Sequence, residues 1–128
     1  MAICAQSTRG AKMAKYENML QGNFDELLRR IDEGIVKGSI SASYEDGSDY
    51  QNNGLRCAVR VYERYSMIGK NRVSLNITLL GKDNELFISA IASGGSQAVF
   101  FKINTFGEAS FLQQVENIVE NYMRWFGN

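Results

Sequence analysis

The sequence predicts an α+β domain, a curved antiparallel sheet of about five to six strands with two helices packed on one face. Three observations carry that prediction. Apolar residues recur at helical spacing in only two segments, one near each end of the chain. The stretch between them alternates with a period of two and is broken by short turn sequences. No further helical run lies among the strands to carry a crossover, so a parallel sheet is excluded. The order is strand, helix, five strands, helix.

Lys15 to Leu20 reads as a short strand closed by Gln21-Gly22-Asn23. Asn23 is a good helix N-cap, and Asp25 and Glu26 fall in the first turn, where the helix dipole favours negative charge. Phe24, Leu27, Leu28, Ile31 and Ile35 then form one apolar stripe, with Gly34 and Gly38 as stop signals. From Ser39 the period becomes two: Ile40, Ala42 and Tyr44 alternate with serines, and Glu45 to Gly54 reads as a turn-rich loop. Leu55 to Ser66 alternates most cleanly. Leu55, Cys57, Val59 and Val61 form an apolar face, and Arg56, Ala58, Arg60, Tyr62 and Arg64 form the reverse. Val73, Leu75, Ile77 and Leu79 alternate with Arg72, Ser74, Asn76 and Thr78, and Gly81 to Asn84 reads as a hairpin connection. Leu86 to Ser93 and Ala98 to Ile103 are apolar on both faces, joined by Ser93-Gly94-Gly95-Ser96. Phe111, Leu112, Val115, Ile118, Val119 and Tyr122 mark the second amphipathic helix, ending at Arg124 to Gly127.

Composition bounds the chemistry. The 128 residues hold 14 basic and 14 acidic side chains, two cysteines and no histidine or proline. That size fits one domain with a core that needs neither disulfide nor metal. Lacking histidine, the chain lacks the usual general base at neutral pH and the commonest metal ligand. Cys4 and Cys57 stand too far apart in sequence to suggest a zinc site or a disulfide framework. Zero net charge argues against a nucleic-acid binder. No apolar run reaches signal-peptide or membrane-span length, so the expected address is the cytoplasm, with no membrane contact. Residues 1 to 12 show no periodicity and read as a disordered tail or an upstream extension, with a single domain over 13 to 128. Without them the count is 12 basic against 14 acidic side chains, a slightly acidic body.

Four segments carry a resemblance: Gly38 to Ser43, Arg56 to Tyr65, Arg72 to Thr78 and Ser93 to Lys102. On these, the chain from Met13 onward resembles a family of small uncharacterised bacterial proteins found mainly in Gram-positive Firmicutes. The resemblance spans nearly the whole domain and implies no activity. The order of elements is similar to TATA-binding-protein-like and helix-grip folds, an analogy of fold that transfers no function.

The most specific chemical pattern is Arg56, Arg60 and Arg64, spaced by four, with Tyr62 between two of them and Arg72 expected alongside on the neighbouring strand. Alternation puts the whole set on one sheet face, the open one away from the apolar residues and the helices, where it offers guanidinium forks and an aromatic to an anionic ligand. The plain alternative is a solvated face whose arginines pair with nearby acids. Glu63 interrupts the apolar face and marks either a bulge or a desolvated carboxylate. Cys57 reads as a small core residue, the Gly-Gly connection as a turn or an anion nest, and the acidic loop as solvated because it lacks calcium-site spacing. Met123, Trp125 and Phe126 either finish the core or form a contact patch. The expected function is a non-catalytic binding module holding a small anionic ligand or a protein on Arg56, Arg60, Tyr62, Arg64 and Arg72. The alternative is a homodimer that buries that face or a sheet edge. No catalytic residue, metal ligand or cofactor is assigned, and an enzyme stands third because no nucleophile with a base lies in a recognisable motif.

Overall fold

The computed structural model of the chain describes residues 13–38, 41–66, 71–94 and 107–127. Its elements are β1 (Met13–Gln21), α1 (Phe24–Lys37), β2 (Ser43–Asn52), β3 (Leu55–Ser66), β4 (Asn71–Lys82), β5 (Glu85–Gly94) and α2 (Gly107–Phe126). The strands form one antiparallel sheet in the order β1-β5-β4-β3-β2. The expected tail, the Gly94-Gly95 connection beyond Gly94 and the expected strand Ala98 to Ile103 lie outside the described residues.

Local chemistry accounts for the joints. Asn23 caps α1, its Oδ1 accepting from the Glu26 amide at 2.8 Å, and the Gly38 amide closes the helix on the Gly34 carbonyl at 3.0 Å. Gly34 therefore lies inside α1 and is not its stop. A Cβ there would sit 2.5 Å from Ile118 Cδ1, so the missing side chain is what lets α2 approach. The β2–β3 hairpin turns on Asn53 and Gly54, at φ 51° and 84°, the left-handed pair that a two-residue turn demands.

Of the segment read as a loop, Glu45 to Gly54, all but the Asn53-Gly54 turn is instead part of β2. Its residues pair along β3 from Ser43↔Glu63 to Asn52↔Leu55, with one bulge between Tyr44 and Asp46. This edge strand is exposed nearly throughout, so it needs no apolar alternation, and the polar sequence conceals it.

Both helices lie on one face, over a core of Leu27, Ile31 and Ile35 from α1, Phe111, Val115, Val119 and Tyr122 from α2, and inward strand residues such as Leu75, Ile77 and Ile88. The pairing decides which residues of β3 join them. Arg64, Tyr62, Arg60, Ala58 and Arg56 stand opposite Val73, Leu75, Ile77, Leu79 and Gly81, and directly opposed residues share a face. The arginine row of β3 is therefore on the helix-bearing face, and the expected apolar row is on the open one. Tyr62 and Ala58 are fully buried, whereas Leu55 is exposed and Cys57 half-buried. Arginine stems can lie along apolar surface while their heads reach water, so three arginines do not keep a strand face out of a core.

Candidate functional site

A groove of 420 Å³ runs between α1 and the β2–β3 hairpin on the helix-bearing face. Asp25, Leu28, Asp32 and Val36 recur at three- and four-residue spacing, so one flank of α1 presents all four, with Arg29 beside them. Arg60 and Tyr44 complete the lining from the sheet. The buried Tyr62 hydroxyl donates to Asp32 Oδ1 at 2.9 Å, tying helix to sheet below the groove, and the Tyr44 ring meets Tyr62 edge-on at 5.8 Å. Burial first, and then the bond to Asp32, push the Tyr62 hydroxyl well above the ordinary phenol range. A tyrosine so held is a proton donor to its partner and no base.

The five residues expected to form one ligand surface are divided by the structure. Arg60 lies in the groove, where it donates to the carbonyls of Val59 at 2.9 Å and Ser48 at 3.2 Å and pairs with Asp49 at 2.9 Å. Arg56 lies over the Phe24 ring, 4.2 Å from its centroid, and pairs with Asp25 at 2.9 Å. That bond holds the Asp25 carboxyl below the usual range. Arg64 covers the Phe111 ring at 5.0 Å and donates to Gln114 Oε1 at 3.1 Å, and burial lowers its pKa. Tyr62 is under the groove and out of solvent. Arg72, expected on the same face, is on the opposite one, because it pairs with Tyr65 of β3 and not with an arginine. There it bonds Glu63, which also accepts from Ser74 Oγ at 3.4 Å. Glu63 thus faces neither core nor groove.

Sequence reasoning missed Asp25, Leu28, Arg29, Asp32, Val36 and Tyr44 as groove residues. The helical spacing of Leu28, Asp32 and Val36 was visible, but only the inward stripe of α1 draws notice in a periodicity search.

The open face carries a second feature. Tyr50, Cys57, Leu80, Phe87 and Met19 are successive cross-strand partners, making one apolar row across all five strands. Tyr50, Leu80 and Met19 are exposed, and a shallow 180 Å³ depression lies among Met19, Leu55, Leu80 and Phe87. At the end of α2, Trp125 and Phe126 are exposed, while Met123 packs against the core. The Arg30 guanidinium lies 4.3 Å from the Trp125 ring centroid.

Among the described residues no cluster of three or more His, Cys, Asp or Glu could hold a metal ion, and no helix is long and apolar enough to cross a membrane. Residues 13–123 match the model of a family of unknown function, DUF6054. No curated protein matches the chain. Among solved structures, the crystal structure of PA94, a protein of unknown function from Pseudomonas aeruginosa with a suggested regulatory role, is similar in fold. The TM-score is 0.51 at 10% identity, covering 87% of this chain and 69% of that one.

Proposed function

The chain belongs to DUF6054, a family of unknown function, and from that premise we propose that it is a non-catalytic module binding a small amphipathic acid in the α1–hairpin groove. The observation that carries this reading is the combination, in one 420 Å³ groove, of an apolar wall (Leu28, Val36, Tyr44) with the Arg60 guanidinium. Its size falls within the range of small-molecule sites, which hold ligands by an apolar lining and a few placed polar groups. The ligand's apolar body lies against Leu28, Val36 and Tyr44. Its acid takes the place of Asp49 on Arg60, a feasible exchange because Asp49 is a solvent-facing edge-strand residue. The groove's own acids, Asp25 and Asp32, admit one negative group and disfavour a polyanion. The setting we propose is the cytoplasm of a bacterium.

The test is a thermal-shift panel of carboxylated and phosphorylated small molecules, since a ligand preferring the folded form raises the Tm. At least one amphipathic acid is expected to stabilise the wild type. Calorimetric titration of that compound into folded Arg60→Ala and Tyr44→Ala should show at least a tenfold loss of affinity. A panel without a stabilising compound, or undiminished affinity in both variants, overturns the reading.

A further inference from the structure

The opposite face of the sheet supports a separate inference: we propose that the open face is the interface of a homodimer, two copies packed sheet to sheet about a two-fold axis running along β4. The apolar row from Tyr50 to Met19 crosses all five strands toward the end that carries the β2–β3 and β4–β5 turns, Val59, Val61 and Ile91 lie further along the same face, and polar or charged residues stand beside them. Five strands at ~4.8 Å spacing and about nine residues of strand at ~3.4 Å each give a face of roughly 700 Å². That is close to the ~800 Å² per partner of a standard stable interface.

The charges say which partner fits. Lys15 and Glu17 lie 3.8 Å apart, Arg72 bonds Glu63, and Lys82 stands opposite Glu85. A surface so nearly balanced offers no steering to a strongly acidic or basic protein, and a copy of itself meets it without repulsion. The edges are more specific. In the row Asp46, Val61, Asn76, Ile91, Lys15, the acid stands on one edge strand and the base on the other, each two strands from Asn76 of β4. A two-fold axis along β4 exchanges the edges, so each Asp46 meets the partner's Lys15, and the contact occurs twice, as an isologous interface requires. Sheets packed in this aligned manner cross at ~30°, so the axis bisects the two copies of β4 at ~15° from each, and the rotation displaces the edges by no more than a long side chain spans.

Light scattering of the full chain, from micromolar to near-millimolar concentration, tests the proposal. The wild type is expected at twice the monomer mass. Leu80→Glu, in the centre of the row, should be folded by circular dichroism and monomeric, and Met19→Glu, at an exposed position, serves if Leu80→Glu does not fold. Asp46→Lys and Lys15→Asp should each weaken dimerisation about tenfold or more, since each breaks two contacts. The combined exchange should recover most of that loss. A wild type that stays monomeric, a folded Leu80→Glu with the wild-type dimer mass, or a combined exchange no tighter than the single variants overturns it. The first of these is also what a face reserved for a different protein would give.

Discussion

Tyr62 shows how one side chain joins core to groove. Its ring is buried in the core while its hydroxyl holds Asp32 at the foot of α1's outer flank. Removing the hydroxyl in Tyr62→Phe is expected to cost about 1 kcal/mol of stability, measured by urea denaturation at neutral pH. The pH dependence follows from the raised folded pKa. The folded protein keeps the phenolic proton after the unfolded chain, with an ordinary tyrosine pKa of about 10, has lost it. This contribution is therefore complete below pH ~10 and is lost as pH rises beyond it. The wild type should lose stability on going to strongly alkaline solution more steeply than Tyr62→Phe, and equal slopes in the two proteins would contradict the assignment. Residue identity alone could not place Tyr62: alternation put it correctly beside Arg60 and Ala58, yet which side of the ribbon faced the helices depended on the partner strand. Arginine stems over Phe24 and Phe111 do what aliphatic residues would have done, so counting charges pointed the wrong way.

Among the elements, the helices were the most legible. Asn23, the acidic first turn and the inward stripe of α1 appear in the structure as the spacing implies, and α2 follows the same rule. β3 was equally plain in extent and β4 nearly so, its end running on through Gly81 and Lys82 where the sequence reads as turn, but β2 was not, because an exposed edge strand carries no apolar period. The groove was illegible for a different reason: it is built from the outward flank of α1 and from Tyr44 and Arg60, which alternation placed on strands but could not by itself assign to the side of the helices. Two variants probe the joints. Asn23→Ala should lower stability by about 1 kcal/mol through loss of the cap. Gly34→Ala gains helix propensity of about 1 kcal/mol but drives a Cβ into Ile118, an overpacking cost of roughly 1–3 kcal/mol. Its net effect should be destabilising in the wild type and clearly less so beside Ile118→Val, which removes Cδ1 and leaves Cγ1 at 3.0 Å. A double-mutant cycle reads that coupling directly, and additivity would show that α1 and α2 do not limit each other's approach there.

For the molecule as a whole, the sheet separates two surfaces of different character, a groove of mixed apolar and charged lining beside α1 and an apolar row on the reverse. The groove residues and the row residues share no strand position. Leu80→Glu should therefore leave the affinity of a groove ligand within about twofold of wild type, as expected for sites without common partners. A large change in that titration would mean that the two surfaces communicate through the sheet. The bulged, acid-rich border of β2 has its own consequence. Glu45, Asp46 and Asp49 sit along the exposed edge strand, the kind of rim that can recruit another chain. Their mutual repulsion guards against sideways polymerisation, and stripping it by replacing all three with their amides should convert a well-behaved protein into one that seeds fibres.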